Sequence, residues 1–328
     1  MSEASLTIVR WLFVGAAGNA LALGEDGRYL LVGSEHDLRI LDRWGNKPFH
    51  YHAHPASGRK SEEDMPFCAA AVTPDMRRAL AGLRSGEIFR LELTWDGDAV
   101  TGWPEQIRAE TNDIYAMSLA PDASLIAIGH LGPALTVLDW NGNTVWRRHP
   151  ADHTPTDGKT WTVALSSDAA TLYVGSSGTE RCLLAALDAS SGQPKAGKRL
   201  WQRVTRIAAL PAPLAVVAIL SGNGESQVAA FGSDLNEPAW TYTLDLGEQV
   251  TALTTDQAAN LVVCGTNSGA ALVLDGGNGD LLVRTDELRS TVLSLAMTAG
   301  RYLVAGIHED RVAYLEYVPP ASDEELAL

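Results

Sequence analysis

The feature that most constrains the fold is a short apolar run ending in glycine, which recurs along the whole chain. Six copies can be read directly: YLLVG (29–33), RALAG (78–82), LIAIG (125–129), TLYVG (171–175), LVVCG (261–265) and YLVAG (302–306). The glycines are 49, 47, 46, 90 and 41 residues apart, so the gap of 90 contains a further copy without its glycine. We place that copy at LAVVAIL (214–220), with Leu220 in the glycine's position. Seven units of about 40–50 residues indicate a repeat architecture rather than one continuous core.

Each copy divides into four short segments, which we call strands A to D in chain order. In the third copy these are IYAMSLA (114–120), SLIAIG (124–129), ALTVLDW (134–140) and TVWRRH (144–149). Strand B is apolar throughout, as expected of a strand that is buried on both faces. Asn141-Gly142 between strands C and D is a strong hairpin signal. No stretch combines helical periodicity with helix caps, so the sequence predicts an all-β protein.

The two ends of the chain complete the pattern. The seventh copy contains only strands A to C and ends at Val318, while LTIVRWLFV (6–14) belongs to no copy. We expect this N-terminal strand to complete the last unit, because closing a ring removes an exposed sheet edge. The prediction is a seven-bladed β-propeller of four-stranded antiparallel blades, a single domain over residues 1–318, with an acidic tail at 319–328. The expected blades are 19–54, 67–111, 113–156, 159–202, 203–248, 249–290, and 291–318 together with 5–14.

Composition narrows the function classes. The net charge of −15 repels phosphate backbones and argues against nucleic acid as the main partner. No apolar stretch approaches the roughly 18 residues of a membrane span, and Glu3 without a basic segment argues against a signal peptide. Cys68, Cys182 and Cys264 lack paired spacing and are expected to be buried, reduced thiols. These features predict a cytoplasmic protein whose partners are other protein subunits.

Strand C often ends in a Leu-Asp pair, as at Leu41-Asp42, Leu138-Asp139, Leu187-Asp188 and Leu274-Asp275. WD40 repeats carry Trp-Asp at the comparable position, and the copies resemble them. The stretches 138–146 and 187–201 are more similar to quinoprotein (PQQ-like) repeats, in which an aspartate, a turn glycine and a strand-D tryptophan follow in order. The resemblance implies the propeller fold. The cofactor-docking motif of that family is intact in no copy, so no cofactor is predicted.

Five tryptophans are expected on outer strands, where an indole can wedge between neighbouring blades. They are Trp11, Trp103, Trp146, Trp201 and Trp240.

The histidines gather toward one side of the predicted ring. In a four-stranded blade the B–C and D–A connections share one face, here called the upper face, and the A–B and C–D turns share the lower face. His50, His52 and His54 alternate at the end of a strand D, so they point to the same side. Three such imidazoles could ligate zinc or copper. An exposed histidine cluster without metal is the alternative.

Loops from different blades converge on the upper face, which we therefore predict as the contact surface. Its candidate residues are His36, Arg59, Lys60, Arg84, His130, Asn267 and His308. The strand-A residues near the axis are small, and no catalytic motif such as G-x-S-x-G or H-E-x-x-H is present. A non-catalytic interaction scaffold within a larger assembly is the leading hypothesis. Two alternatives stay open: an enzyme or metal-binding protein that uses the histidines, and a sensor that binds a small molecule in the axial channel.

Overall fold

The computed structural model describes residues 4–53, 66–109, 113–130, 134–148, 159–177, 182–222, 224–298 and 300–320. Their strands form seven four-stranded antiparallel sheets, and strand A of each sheet contacts strand A of the next until the ring closes. The predicted seven-bladed propeller is therefore confirmed. Within the described ranges, no helix is long and apolar enough to cross a bilayer.

Four strands build each blade, with strand A at the axis and strand D at the rim. Blade 1 contains β2 (Ala20–Leu23), β3 (Tyr29–Gly33), β4 (Asp37–Asp42) and β5 (Phe49–His52). Blade 2 contains β6 (Phe67–Val72), β7 (Arg78–Leu83), β8 (Glu87–Glu92) and β11 (Glu105–Ala109), with an inserted hairpin of β9 (Thr94–Asp96) and β10 (Ala99–Thr101). Blade 3 contains β12 (Ile114–Leu119), β13 (Ile126–His130), β14 (Leu135–Leu138) and β15 (Thr144–Arg148).

The remaining blades follow the same order. Blade 4 contains β16 (Lys159–Leu165), β17 (Thr171–Ser177), β18 (Cys182–Asp188) and β19 (Pro194–Leu200). Blade 5 contains β20 (Arg203–Ala209), β21 (Leu214–Gly222), β22 (Glu225–Gly232) and β23 (Pro238–Thr243). Blade 6 contains β24 (Val250–Asp256), β25 (Leu261–Thr266), β26 (Ala271–Asp275) and β27 (Leu281–Thr285). Blade 7 contains β28 (Val292–Thr298), β29 (Tyr302–Ile307), β30 (Arg311–Val318) and β1 (Ser5–Phe13).

The N-terminal strand closes the ring as predicted. Strand β1 pairs antiparallel with β30, from Ser5 opposite Val318 to Phe13 opposite Arg311. The last blade is thus built from both ends of the chain, which ties the first described residues to the last ones.

Five of the six repeat glycines, Gly33, Gly82, Gly175, Gly265 and Gly306, allow two neighbouring blades to approach closely. A Cβ added to Gly265 would lie 2.4 Å from Cγ1 of Val292, which begins strand A of the next blade. A Cβ on Gly175 would lie 2.5 Å from Cγ1 of Val204, again in the next blade. These distances are shorter than any normal contact, so the glycine is required by packing between blades.

The strand register corrects one detail of the sequence analysis. In six blades the repeat glycine pairs with a small strand-A residue, and blade 5 pairs Ile219 with Arg206 at this level. Ile219, and not Leu220, therefore occupies the glycine's position. The pairs in the other blades are Ala20–Gly33, Ala69–Gly82, Ala116–Gly129, Thr162–Gly175, Ala252–Gly265 and Ser294–Gly306.

The Leu-Asp pairs have a structural role in the lower-face turns. Asp139 accepts hydrogen bonds from the backbone N–H of Asn143 at 2.8 Å and from its side-chain amide at 2.8 Å. Asp42, Asp188 and Asp275 accept backbone N–H groups in the same turn of their own blades. A carboxylate that satisfies turn N–H groups stabilises the hairpin, which explains why aspartate recurs there.

Two of the predicted outer-strand tryptophans reach the neighbouring blade. Nε1–H of Trp146 donates to the carbonyl of Ala189 at 2.8 Å, and Nε1–H of Trp240 donates to that of Gly276 at 2.9 Å. Trp11 lies on β1, whereas Trp103 and Trp201 lie just outside the outer strands of their blades.

The hairpin inserted in blade 2 is absent from the sequence prediction. It folds over the lower face of blade 1, where the Trp95 ring lies 4.2 Å from that of Tyr29. The Tyr29 hydroxyl also donates to Asp98 at 3.1 Å, and Trp95 Nε1–H donates to the carbonyl of Met76 at 3.0 Å. The insertion therefore links blades 1 and 2 on the lower face.

Candidate functional site

The predicted histidine cluster is centred on a carboxylate. Nε2 of His50 and Nδ1 of His52 each lie 2.9 Å from Oδ1 of Asp37, and the His36 ring lies 6.0 Å from that of His52. Burial raises the pKa of Asp37, but the hydrogen bonds with His50 and His52, together with Arg39, outweigh it and hold the pKa below its usual value. Both imidazoles thus form hydrogen bonds with the Asp37 carboxylate, and the three side chains make a polar network at the end of strand D.

No group of three or more metal-ligating side chains is arranged around a common centre in the described ranges. His54 lies outside those ranges, as do Arg59 and Lys60. Metal ligation by His50, His52 and His54 therefore stays a prediction from the sequence.

The other predicted contact residues are dispersed over the upper face. Arg84 is exposed and its guanidinium carbon lies 5.9 Å from the Tyr115 ring centre. Asn267 joins two loops, because its Oδ1 accepts the backbone N–H of Gln249 at 2.9 Å. His308 is exposed on blade 7. His130, in contrast, is fully buried in β13, with Nε2 3.0 Å from the Thr136 hydroxyl, and so it is not available to a partner here.

A concave channel runs along the ring axis. Strand A of every blade contributes to its wall, and the open cavity between these strands has a volume of about 190 Å³. Toward the upper face it adjoins a wider depression of about 730 Å³ over blades 3 to 7, which we call the channel mouth. The channel mouth is lined by Tyr115, Trp201, Arg203, Thr205, Arg206, Ser221, Gly222, Gly224, Glu225, Gln249, Val250, Thr251, Thr291 and Leu293.

Arg206 is the cation that connects the channel with its mouth, because it lines both. Its Nη1–H donates to the carbonyl of Thr205 at 2.9 Å, and its side chain donates a hydrogen bond to the Tyr115 hydroxyl across from blade 3. Among the described residues no aspartate or glutamate forms an ion pair with Arg206. Burial lowers the pKa of Arg206 and Tyr115 opposes that shift, yet a guanidinium remains charged at neutral pH.

Arg284 on blade 6 shows the usual solution for a partly buried guanidinium. Its Nη1 and Nη2 lie 2.9 Å from the two carboxylate oxygens of Glu248, in a bidentate pair. Nη2 also lies 2.8 Å from Asp286. The hydrogen bonds donated to Asp286 and Glu248 raise the pKa of Arg284. Two carboxylates compensate this arginine, whereas the partners of Arg206 among the described residues are neutral oxygens.

A thiol beside the channel offers no nucleophile. Cys68 lines the channel, and burial raises its pKa to about 12 even though Arg84 lowers it in part. A thiol with this pKa is protonated at neutral pH and is a poor nucleophile.

Two exposed apolar side chains flank the channel mouth on D–A loops. Trp201 follows the last strand of blade 4 and is 94% exposed. Leu246 follows the last strand of blade 5 and is 88% exposed, in the loop that leads to Gln249 of the channel mouth. Large apolar side chains with this exposure have no role in the core.

In comparisons with known proteins, no protein-family model and no curated protein matches this sequence.

Sequence reasoning missed Arg206, Trp201 and Leu246 as site residues. A signal for Arg206 exists, because an alignment of strand A across the copies shows arginine where the others have alanine, serine or threonine. Trp201 was expected on an outer strand, and only the end of β19 at Leu200 places it in a loop.

Proposed function

We propose that the protein is a non-catalytic interaction module that binds a partner protein at the channel mouth of its upper face. The exposure of Trp201 is the observation that carries this proposal. An indole that is 94% in water contributes nothing to the fold, whereas tryptophan and arginine are the residue types that contribute most to binding energy at interfaces.

The chemistry of the partner follows from the surroundings of Trp201. Arg203 is exposed in the wall of the channel mouth, and Arg84 is exposed on the neighbouring part of the same face. These two arginines are positive side chains on a chain whose net charge is −15. A complementary segment carries an apolar side chain for Trp201 and Leu246, flanked by acidic residues for the arginines.

The proposal includes a cytoplasmic location and divergent repeats of the WD40-like or PQQ-like type. Support for the location comes from the thiols of Cys68, Cys182 and Cys264, all free, as is usual in reducing compartments. Support for the repeat type comes from the turn-capping aspartates Asp139 and Asp188, which stand where such repeats carry their aspartate.

The test is affinity capture from the native host with three forms of the tagged protein. They are the wild type, the double variant Trp201→Ala/Leu246→Ser, and the control Trp103→Ala. Trp103 is 79% exposed but lies on the C–D connection of blade 2, on the lower face. It therefore matches Trp201 in residue type and exposure.

We expect at least one protein captured by the wild type and by Trp103→Ala to be lost from the double variant. With that partner purified, the double variant should bind at least tenfold more weakly, since a hot-spot side chain contributes about 2 kcal/mol. Equal capture by all three forms contradicts the proposed surface. If a captured protein were lost from Trp103→Ala alone, its contact surface would lie on the lower face instead.

A further inference from the structure

Seven residues occupy one equivalent level around the axial channel, one from strand A of each blade. Each pairs with the repeat glycine of its blade, or with Ile219 in blade 5, and each lines the channel cavity. Six are small and uncharged, and the seventh is an arginine. In blade order they are Ala20, Ala69, Ala116, Thr162, Arg206, Ala252 and Ser294.

The fold does not require a guanidinium at this level. Four blades carry alanine at the equivalent position, and two carry a residue with a small hydroxyl side chain. The hydroxyls take structural hydrogen bonds: Thr162 accepts the N–H of Ile207 at 3.1 Å, and Ser294 donates to the carbonyl of Gly18 at 2.6 Å. Arg206 instead bonds one carbonyl of its own strand and one tyrosine hydroxyl.

Holding a charge at this position without a counter-ion is unfavourable. Partial removal of an ion from water costs free energy, and a well-placed opposite charge with good hydrogen-bond geometry offsets much of that cost. The protein has an excess of 15 negative charges and uses two carboxylates on Arg284, yet it places none on Arg206 within the described ranges. An anion bound in the channel would supply the negative charge that the described residues do not place on Arg206.

We propose that Arg206 anchors a site in the axial channel for the oxyanion of a small molecule, a carboxylate or a phosphate, which enters through the channel mouth. This site goes beyond the partner surface proposed above and does not rest on it. The planar fork of a guanidinium matches two oxygens of either group.

The neighbourhood of Arg206 supplies further groups of the right kind. The Tyr115 hydroxyl accepts a hydrogen bond from the guanidinium, and Arg84 adds a second positive charge 5.9 Å from the centre of the Tyr115 ring. Thr205 lies in the same wall, and its buried hydroxyl has no hydrogen-bond partner among the residues that the structure describes. The cavity at this level is about 190 Å³, which fits a small molecule rather than a folded domain.

The test uses Arg206→Ala, because alanine is the residue that four other blades carry at this level and the variant is therefore expected to fold. Its control is Arg77→Ala, which removes the same charge from an exposed A–B turn of the lower face. Binding of inorganic phosphate and of succinate to the full chain is measured by calorimetry in a buffer without other oxyanions. The Nε–H resonances of the arginines are followed in the same titrations by NMR.

We expect saturable binding of at least one of the two anions, unchanged in Arg77→Ala and weaker by about tenfold or more in Arg206→Ala, as for a lost charged hydrogen bond. One Nε–H resonance should shift with the titration and be absent from Arg206→Ala. The two anions distinguish a phosphate from a carboxylate preference.

Three results overturn the proposal. They are no saturable binding of either anion by the wild type, equal binding by wild type and Arg206→Ala, and binding that Arg77→Ala weakens as much as Arg206→Ala does. A further titration uses an acidic octapeptide of alternating aspartate and glutamate in place of the small anions. Stronger binding of this peptide than of either small anion, dependent on Arg206, would also overturn the assignment to a small molecule and would attach the oxyanion to a protein. Because capture through Trp201 is measured separately, failure of this site leaves the partner surface testable, and the reverse also holds.

Discussion

Blade 5 resembles blade 3 at the rim of the ring and differs from the other six blades at its axis. At the rim, Trp240 of blade 5 bonds the next blade through its indole N–H just as Trp146 of blade 3 does. At the axis, the glycine and small residue of the other blades are replaced by Ile219 and Arg206. The tryptophan contact at the rim is thus a packing feature that two different blades share. The axis of blade 5 shows what this protein adds.

The two replacements in blade 5 have different consequences. Ile219 is fully buried and belongs to the apolar cluster that contains Val250 of the next blade. It therefore replaces the close approach of backbones by side-chain packing at the same interface. Arg206 lines both the channel and its mouth. An arginine at this position calls for a role other than packing, and the following variants separate such a role from structural ones.

The largest effect is expected where a glycine is replaced in a blade that requires it. A Cβ on Gly306 would lie 2.1 Å from the carbonyl oxygen of Gly18 and 2.5 Å from the hydroxyl oxygen of Ser294. Because the carbonyl belongs to the backbone of blade 1, it cannot rotate away, and Gly306→Ala should lower the free energy of unfolding by about 3 kcal/mol. Urea denaturation measures this loss.

The control for that variant is Gly197→Ala, also in a strand. An added Cβ there meets its nearest atom at 3.8 Å, the carbonyl oxygen of Leu184, which is an ordinary contact. We expect a change within about 0.5 kcal/mol of zero. Equal losses in the two variants would contradict the account of blade packing through the repeat glycine.

A smaller loss is expected when the compensated arginine is deprived of its carboxylate. Glu248→Gln leaves Arg284 with Asp286 alone, and should cost about 2 kcal/mol because Glu248 is buried while Arg284 is partly in water. Asp286→Asn is the control, since that carboxylate is mostly exposed and should cost about 0.5 kcal/mol or less. Thermal and urea unfolding at pH 7 measure both values.

The pH dependence of the Glu248 variant follows from its pKa. Burial raises the pKa of Glu248, but hydrogen bonds from Arg284 and Ser268 outweigh it and lower the pKa below its usual value. The stabilisation is therefore complete above the unfolded pKa of about 4.3 and is lost as the pH falls through the lower folded value. The difference in the free energy of unfolding between wild type and Glu248→Gln should be constant from about pH 7 to pH 5 and shrink below about pH 4. If this difference were unchanged down to pH 3, the ionised pair of Glu248 and Arg284 could not be its cause.

Most of the fold could be predicted from the sequence because its signals are local and repeated. The apolar run of strand B, the Asn141-Gly142 hairpin and the incomplete seventh copy follow from backbone periodicity and turn chemistry, and the structure confirms seven blades with a shared last blade. The hairpin inserted at Trp95 occurs once in the described part of the chain, so no repeat could reveal it.

The candidate site was less accessible to sequence reasoning because it depends on register across the ring. A one-residue bulge near the start of strand A decides which side chain faces the channel. The sequence pattern alone assigned the glycine's place to Leu220, one residue from the true position at Ile219. His130 was expected near a loop surface for a similar reason, yet it is the last residue of a buried strand.

The smallest expected effect on stability tests the central claim, that Arg206 serves a ligand and not the fold. The measurement is the free energy of unfolding of Arg206→Ala against the wild type, in a buffer free of phosphate and carboxylates. The account expects the variant to be as stable as the wild type or more stable by up to about 1 kcal/mol, since a partly desolvated charge without a carboxylate partner is removed. A loss of more than about 1 kcal/mol would show that Arg206 stabilises the ring through Tyr115 and Thr205, and would contradict the account.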